Sequence, residues 1–192
     1  MTIKKLIYFI FLLFLSNISA QETNQSLEKP SDGKSLVYFV RSNSAGFTLN
    51  FRVYDKEKFL KALSYGEYLI YECDPGQHLF WAASENRDFV EADLEPNKFY
   101  IIDVEGQMGA FIAGVSLSPF KPTDKGNRKD LYKIVKKETK ILFKDLVIES
   151  DVDRVENIKK SLEKYIQLKE KKSSKIEILT KDMYFENADK PN

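Results

Sequence analysis

The sequence predicts a mainly β fold, an antiparallel β-sandwich of about seven or eight strands with a C-terminal α-helical extension. Three observations lead to this prediction. Short apolar or alternating segments follow one another between about residues 35 and 120, as strands do. Short turns rich in glycine, proline and polar residues separate these segments. After residue 128 the apolar residues instead recur at spacings of three and four, which is typical of amphipathic helices.

The first twenty residues have the plan of a secretory signal peptide. Lys4 and Lys5 precede an apolar run over residues 6–15, and small residues then lead to Ala20. This run is shorter than the about 20 residues that cross a bilayer as a helix. We therefore expect cleavage after Ala20 and export to the periplasm or cell envelope of a Gram-negative bacterium, or secretion. The alternative is an uncleaved anchor. The polar residues 21–34 are expected to form a flexible leader.

Eight segments of the predicted sandwich, residues 35–120, are expected to be strands. The first, LVYFVR at 36–41, is apolar at five consecutive positions, which is typical of a central strand buried on both faces. The second, at 47–54, alternates with a period of two, as a half-exposed strand does. Segments 67–73 and 77–83 are predicted to form a hairpin over the turn Asp74-Pro75-Gly76-Gln77. The other predicted strands are 59–64, 89–94, 99–104 and 108–117.

The C-terminal region, residues 121–192, is predicted to be a lysine-rich helical tail. Helices are expected at about 128–137 and 150–172, followed by an extended segment at about 176–185. Residues 35–120 hold 7 Lys and Arg against 12 Asp and Glu, whereas residues 121–192 hold 19 against 14. Because the body is acidic and the tail is basic, we expect the tail to fold back on the body.

Composition and motifs argue against several classes of function. Without residues 1–20 the chain has 28 Lys and Arg against 29 Asp and Glu, whereas a general nucleic-acid binder needs a basic excess. One cysteine and one histidine cannot close a zinc site by themselves. Phosphate-binding glycine loops and G-x-S-x-G are missing. We therefore expect no enzyme activity, no cofactor and no metal. We also expect at most peripheral membrane contact, because the apolar stripe of the predicted tail helix carries no Trp or Phe.

The pair Cys73 and His78 is the one arrangement that suggests catalysis. The two residues flank the predicted turn, so cross-strand pairing could place the imidazole beside the thiol and activate it. Asp74 or Glu72 could orient such a dyad. The simpler interpretation is a small buried cysteine and a partly exposed histidine at the two ends of a turn. The enzyme hypothesis requires both side chains to share an accessible pocket, whereas the structural interpretation requires a buried Cys73.

Aromatic residues crowd the same predicted hairpin. Such side chains could line a platform for a ligand. Packing in the core is the favoured alternative, since 14 Phe and 10 Tyr must be accommodated in a small domain. The candidate ligand-contact residues are Tyr65, Tyr68, Tyr71, His78 and Trp81.

Several motifs resemble a bacterial family known only as domain of unknown function 2846. The similar features are an aromatic and aliphatic strand ending in Arg41, the Gly-x-Tyr at 66–68, the Pro-Gly-x-His at 75–78 and the pair Phe99-Tyr100. The resemblance covers about residues 36–117. It implies a β-sandwich in an exported or envelope protein and implies no activity. Cys73 and Asp74 depart from the family pattern.

These observations predict an exported envelope protein that acts as a non-catalytic binding or structural module. One alternative is a thiol-dependent enzyme or redox protein that uses Cys73 and His78. Another is an assembly partner that acts through the C-terminal helix. The expected partner is an envelope protein or a small ligand, and the chain is expected to be a monomer or a weak oligomer.

Overall fold

The computed structural model of the chain describes residues 28–108, 113–124, 126, 139–142 and 152–186. The predicted signal peptide and the predicted helix at 128–137 lie outside these residues. The described strands are β1 (Ser35–Arg41), β2 (Phe51–Asp55), β3 (Lys58–Leu63), β4 (Glu67–Cys73), β5 (Gly76–Ala83), β6 (Arg87–Leu94), β7 (Phe99–Met108), β8 (Ala113–Pro119), β9 (Thr139–Leu142) and β10 (Ile176–Leu179). The helix α1 spans Val152–Glu170, and a short 3-10 helix spans Lys181–Met183.

Within the described residues the strands form two five-stranded sheets. The first sheet has the order β8-β7-β1-β4-β9 and the second has the order β10-β6-β5-β2-β3. The predicted β-sandwich with a C-terminal helix is confirmed. The count of seven or eight strands is confirmed for residues 35–120, which contain β1 to β8, but the strictly antiparallel pairing is wrong. Strand β1 is parallel to β7, and the tail adds β9 and β10 as parallel edge strands.

The predicted hairpin of β4 and β5 is wrong, because these strands belong to different sheets. Strand β4 pairs with β1 and β9, whereas β5 pairs with β6 and β2. The turn at Asp74-Pro75 therefore carries the chain from one sheet to the other. Gly76 allows this change of direction because it adopts a φ of 110°, a value that residues with a Cβ atom disfavour. Both strands contain runs of consecutive buried residues, as strands with two covered faces do.

Strand β2 begins four residues later than predicted, and Arg41 explains the difference. Its buried guanidinium donates to the carbonyl oxygens of Leu49 at 2.6 Å, Leu63 at 2.5 Å and Gly46 at 2.8 Å. The Leu49 amide also donates to the Gly46 carbonyl oxygen. These hydrogen bonds fold the loop before β2 into a turn, so Phe47 is exposed rather than part of a strand.

Three apolar layers hold the sandwich together. The largest lies between the two sheets and includes Phe39 and Phe80, whose rings meet edge to face at 5.2 Å. A second layer covers the outer face of the first sheet around Tyr38. A third covers the outer face of the second sheet around Trp81 and Tyr54, which stack at 3.9 Å. Since β1 is central and buried along its whole length, the prediction for this strand is confirmed.

The tail folds back on the body, as its charge predicted. The apolar stripe of α1 packs on the third layer through Ile158, Leu162, Tyr165 and Leu168. Beyond the helix, β10 pairs with β6, and Leu179 lies buried between the sheets. Among the described residues, the one α-helix is too polar to cross a membrane.

Candidate functional site

A buried polar cluster lies where β2, β4 and β5 meet. His78 donates from Nδ1 to the Asp55 carboxylate at 2.7 Å and from Nε2 to the Asp74 carbonyl oxygen at 2.8 Å. Tyr71 donates its hydroxyl to the same Asp55 oxygen at 3.1 Å. With acceptors facing both ring nitrogens, the geometry suits an imidazolium with two N–H donors. The charged pair of His78 and Asp55 lies within the second sheet, and the Tyr71 hydroxyl of the first sheet joins the two sheets by donating to Asp55.

The electrostatics of this cluster keep His78 protonated. Burial alone would lower the pKa of the imidazole. The hydrogen bonds and charges of Asp55 and Cys73 outweigh burial and raise the pKa to about 10. An imidazolium whose two protons are already donated has no lone pair with which to accept a proton. His78 thus cannot act as a general base near neutral pH.

Cys73 is held in the core rather than in a pocket. The residue is 7% exposed and belongs to the layer between the sheets. Its Sγ lies 3.9 Å from the Ser35 carbonyl oxygen. The structure does bring Cys73 next to His78, but through the passage between the two sheets and not through the predicted hairpin, and it offers the thiol no accessible surface for a substrate. Within the described residues, no three His, Cys, Asp or Glu side chains converge in a way that could hold a metal ion.

The five candidate ligand-contact residues lie in different layers of the fold. Tyr71 and His78 share the polar cluster. Tyr68 is buried in the outer layer of the first sheet, and Trp81 is fully buried in the layer under α1. Tyr65 is half-exposed in the turn before β4. The structure therefore forms no shared aromatic platform from these residues.

The structure instead provides a cleft between α1 and the second sheet, which we call the helix cleft. It has a volume of about 510 Å³. Leu79, Leu162 and Leu179 supply apolar lining, and Ile166 and Ile178 add further apolar surface. The polar lining residues are Lys56, Glu57, Gln77, His78, Glu91, Asp93, Tyr165, Lys169 and Thr180.

A small hydrogen-bonded network fixes the helix across this cleft. Tyr165 donates to Glu91 Oε1 at 2.5 Å, and Lys169 donates to the same oxygen at 2.7 Å. Lys169 also donates to the Tyr165 hydroxyl at 3.0 Å. The ammonium and the hydroxyl lower the pKa of the Glu91 carboxyl, so Glu91 stays ionised. Tyr165 and Lys169 lie on consecutive turns of α1, so their two hydrogen bonds to Glu91 fix the distance between the helix and the second sheet.

Sequence reasoning missed the helix cleft. Its walls come from β5, β6, α1 and β10, and Glu91 lies 74 residues from Tyr165. The available signal was the one-sided stripe of α1, which had to cover an apolar surface. The stripe alone could not show which part of that apolar surface the helix leaves uncovered.

Comparisons of the chain with protein-family models, curated proteins and solved structures found no match. The resemblance over about residues 36–117 thus stays a prediction that depends on the motifs quoted above.

Proposed function

We propose that this protein is an exported, non-catalytic binding module, and that the helix cleft binds a small amphiphilic ligand. The observation that carries the proposal is the cleft itself. Its volume of about 510 Å³ lies within the roughly 300–1,000 Å³ of small-molecule sites. Its lining combines apolar side chains from the helix and the sheet with polar groups, and both kinds of group are found in such sites.

The chemistry of the cleft favours an apolar body with an uncharged or zwitterionic polar end. Ile166 and Ile178 are 53% and 51% exposed, so a ligand that covers them removes apolar surface from water. The charged groups are largely compensated. Lys169 is paired with Glu91, and Lys181 lies 3.6 Å from Asp93. A ligand with net charge therefore gains little from this lining.

The non-catalytic part of the proposal is supported by the state of Cys73 and His78. The thiol is buried, and both ring nitrogens of His78 are hydrogen-bonded within the fold. A thiol-dependent mechanism needs a thiolate that a substrate can reach, and Cys73 is buried. The assembly hypothesis is weakened in a similar way, because the apolar stripe of α1 packs within the chain.

The ligand proposal can be tested through Trp81, the chain's one tryptophan. Its indole donates to the carbonyl oxygen of Lys56, a residue of the cleft lining, at 2.8 Å. We expect n-octyl glucoside, below its micelle concentration, to shift the Trp81 fluorescence saturably, while glucose alone leaves it unchanged.

A matched pair of variants on α1 localises that binding. Ile166→Glu places a charge in the cleft, whereas Val155→Glu makes the same kind of change at a 69% exposed position outside it. We expect Ile166→Glu to weaken octyl glucoside binding at least tenfold and Val155→Glu to leave it within twofold of the original. Equal affinities for both variants, or an equal response to glucose, would refute the proposed site.

Export is proposed on the pattern of residues 1–20. Expression of the full chain in a Gram-negative host, followed by intact-mass measurement of the periplasmic fraction, checks it. We expect a mass that begins at Gln21. Recovery of the uncut chain with the membrane would support the anchor alternative instead.

A further inference from the structure

A second cleft, which we call the basic cleft, lies on another side of α1. It has a volume of about 730 Å³ and lies between α1, the start of β6, strand β8 and the segment around β10. Four basic residues from three parts of the chain line it: Arg87, Lys160, Lys164 and Lys175. None of them lines the helix cleft, so the two sites can be tested independently.

The acidic residues of the basic cleft do not cancel this charge. Asp88 and Glu177 are the two acids in the described lining, against four bases. Asp88 accepts the Leu117 amide at 2.7 Å, and burial raises the pKa of its carboxyl. Its charge is thus directed at the β8 backbone. Lys160 has a partner at the helix surface, Glu156, at 3.2 Å. Lys164 and Lys175 have no acidic partner among the described residues.

The walls of the basic cleft are fixed in place. Arg87 donates from Nε to Ser161 Oγ at 2.6 Å and from Nη2 to Asn157 Oδ1 at 3.2 Å. Ser161 is itself fully buried. Across the cleft, the Asn86 amide accepts the Val115 backbone N–H at 2.6 Å and donates to its carbonyl oxygen at 2.8 Å. A preorganised guanidinium loses little entropy when it binds an anion.

We propose that the basic cleft binds a compound that carries clustered phosphate groups. Arg87 suits a phosphate oxygen because its guanidinium can donate along fixed directions. Lys164 and Lys175 supply point charges from α1 and from the segment before β10. A volume of about 730 Å³ accommodates more than one phosphate group together with the part of the molecule that carries them. The source is either a soluble compound or a lipid headgroup, since both present the same oxygens.

Binding of inorganic tripolyphosphate to the purified full chain, measured by calorimetry at physiological ionic strength, tests the proposal. Lys164→Glu removes a cation of the cleft, and Lys159→Glu makes the same change of net charge on α1 outside it. We expect Lys164→Glu to weaken binding at least tenfold and Lys159→Glu less than threefold, because the exposed Lys159 does not line the cleft and salt screens its charge. Equal losses in the two variants, or no binding by the original chain, would overturn it.

Two further measurements complete the test. Arg87→Lys keeps the positive charge but removes the planar guanidinium with its several N–H donors. We therefore expect a several-fold weaker affinity for tripolyphosphate with an unchanged far-ultraviolet circular dichroism spectrum. An affinity equal to that of the original chain would show that charge alone accounts for binding and would overturn the role given to Arg87.

Flotation with cardiolipin-containing and pure phosphatidylcholine vesicles distinguishes a lipid headgroup from a soluble compound. Flotation with cardiolipin that Lys164→Glu abolishes indicates a headgroup, whereas tripolyphosphate binding alone indicates a soluble compound.

Discussion

The pair of His78 and Asp55 should make the stability of the protein depend on pH above neutrality. The folded pKa of His78 is raised to about 10, whereas an unperturbed histidine has a pKa of about 6.5. A group whose pKa is higher in the folded state than in the unfolded state stabilises the fold, and this stabilisation is complete at pH values below the unfolded pKa. That stabilisation is lost as pH rises through the folded pKa. The window for this pair therefore extends from about pH 6.5 to about pH 10.

The size of the effect follows from the same two values. At about 1.4 kcal/mol per tenfold change in proton affinity, the rise of the pKa gives an upper limit of about 5 kcal/mol. Cys73 also contributes to the raised pKa, and the His78 side chain keeps 14% of its surface exposed to screening water. We therefore take about half of the limit for the interaction with Asp55. Removing the charge from Asp55 should thus eliminate about 2 kcal/mol of pH-dependent stability.

Urea unfolding at pH 6.5 and pH 10.5 measures this quantity. Other groups titrate in the same window, so the relevant value is the difference between the original chain and Asp55→Asn, with His78→Gln as the matched partner variant. We expect the original chain to lose about 2 kcal/mol more than either variant between the two pH values. If all three proteins lose the same stability, the pair does not stabilise the fold through its charge, and the assignment of an imidazolium is refuted.

Four further substitutions or labels have definite expected outcomes. Arg41→Lys should cost about 3 kcal/mol in urea unfolding, because one ammonium cannot reach three carbonyl oxygens; a loss under about 1 kcal/mol contradicts this. Asn86→Ala should cost about 2 kcal/mol through two unpaired backbone groups of β8, and an unchanged unfolding midpoint would argue against it. Gly106→Ala should unfold at lower temperature, since a Cβ there would collide with the Ala45 carbonyl oxygen; an unchanged Tm would refute that close approach. A thiol reagent should label Cys73 only at the rate of unfolding, and rapid labelling of the native protein would revive the enzyme hypothesis.

Much of the fold could be predicted because local sequence determines which residues are buried. The continuous apolar run of β1 required cover on both faces, and the structure buries all seven residues of this strand. The stripe of α1 required a surface to pack against, and the helix spans Val152–Glu170, close to its predicted bounds. Periodicity identifies a strand and its buried faces, and these properties belong to the segment alone.

Strand partners could not be predicted, because pairing depends on distant segments. The residues around Asp74 form a plausible hairpin turn, yet β4 finds its neighbours in β1 and β9. A turn signal is compatible with either a hairpin or a passage between two sheets. The polar cluster depends on this passage, since it places His78 of the second sheet beside Tyr71 of the first. Because the partners of β4 and β5 could not be predicted, neither could the contacts of His78 and Tyr71 with Asp55.

The tail is better described as part of the body than as an extension of it. Its helix covers Trp81 and Phe89, and Leu179 and Met183 complete the layer between the sheets. Residues on different sides of α1 also line both clefts. Deletion of residues 150–192 would therefore expose large aromatic side chains and remove a wall from each proposed site, so a loss of binding after deletion would not identify either one. Matched point substitutions on the surface of α1, which leave the packed stripe in place, are the changes that can separate the two sites.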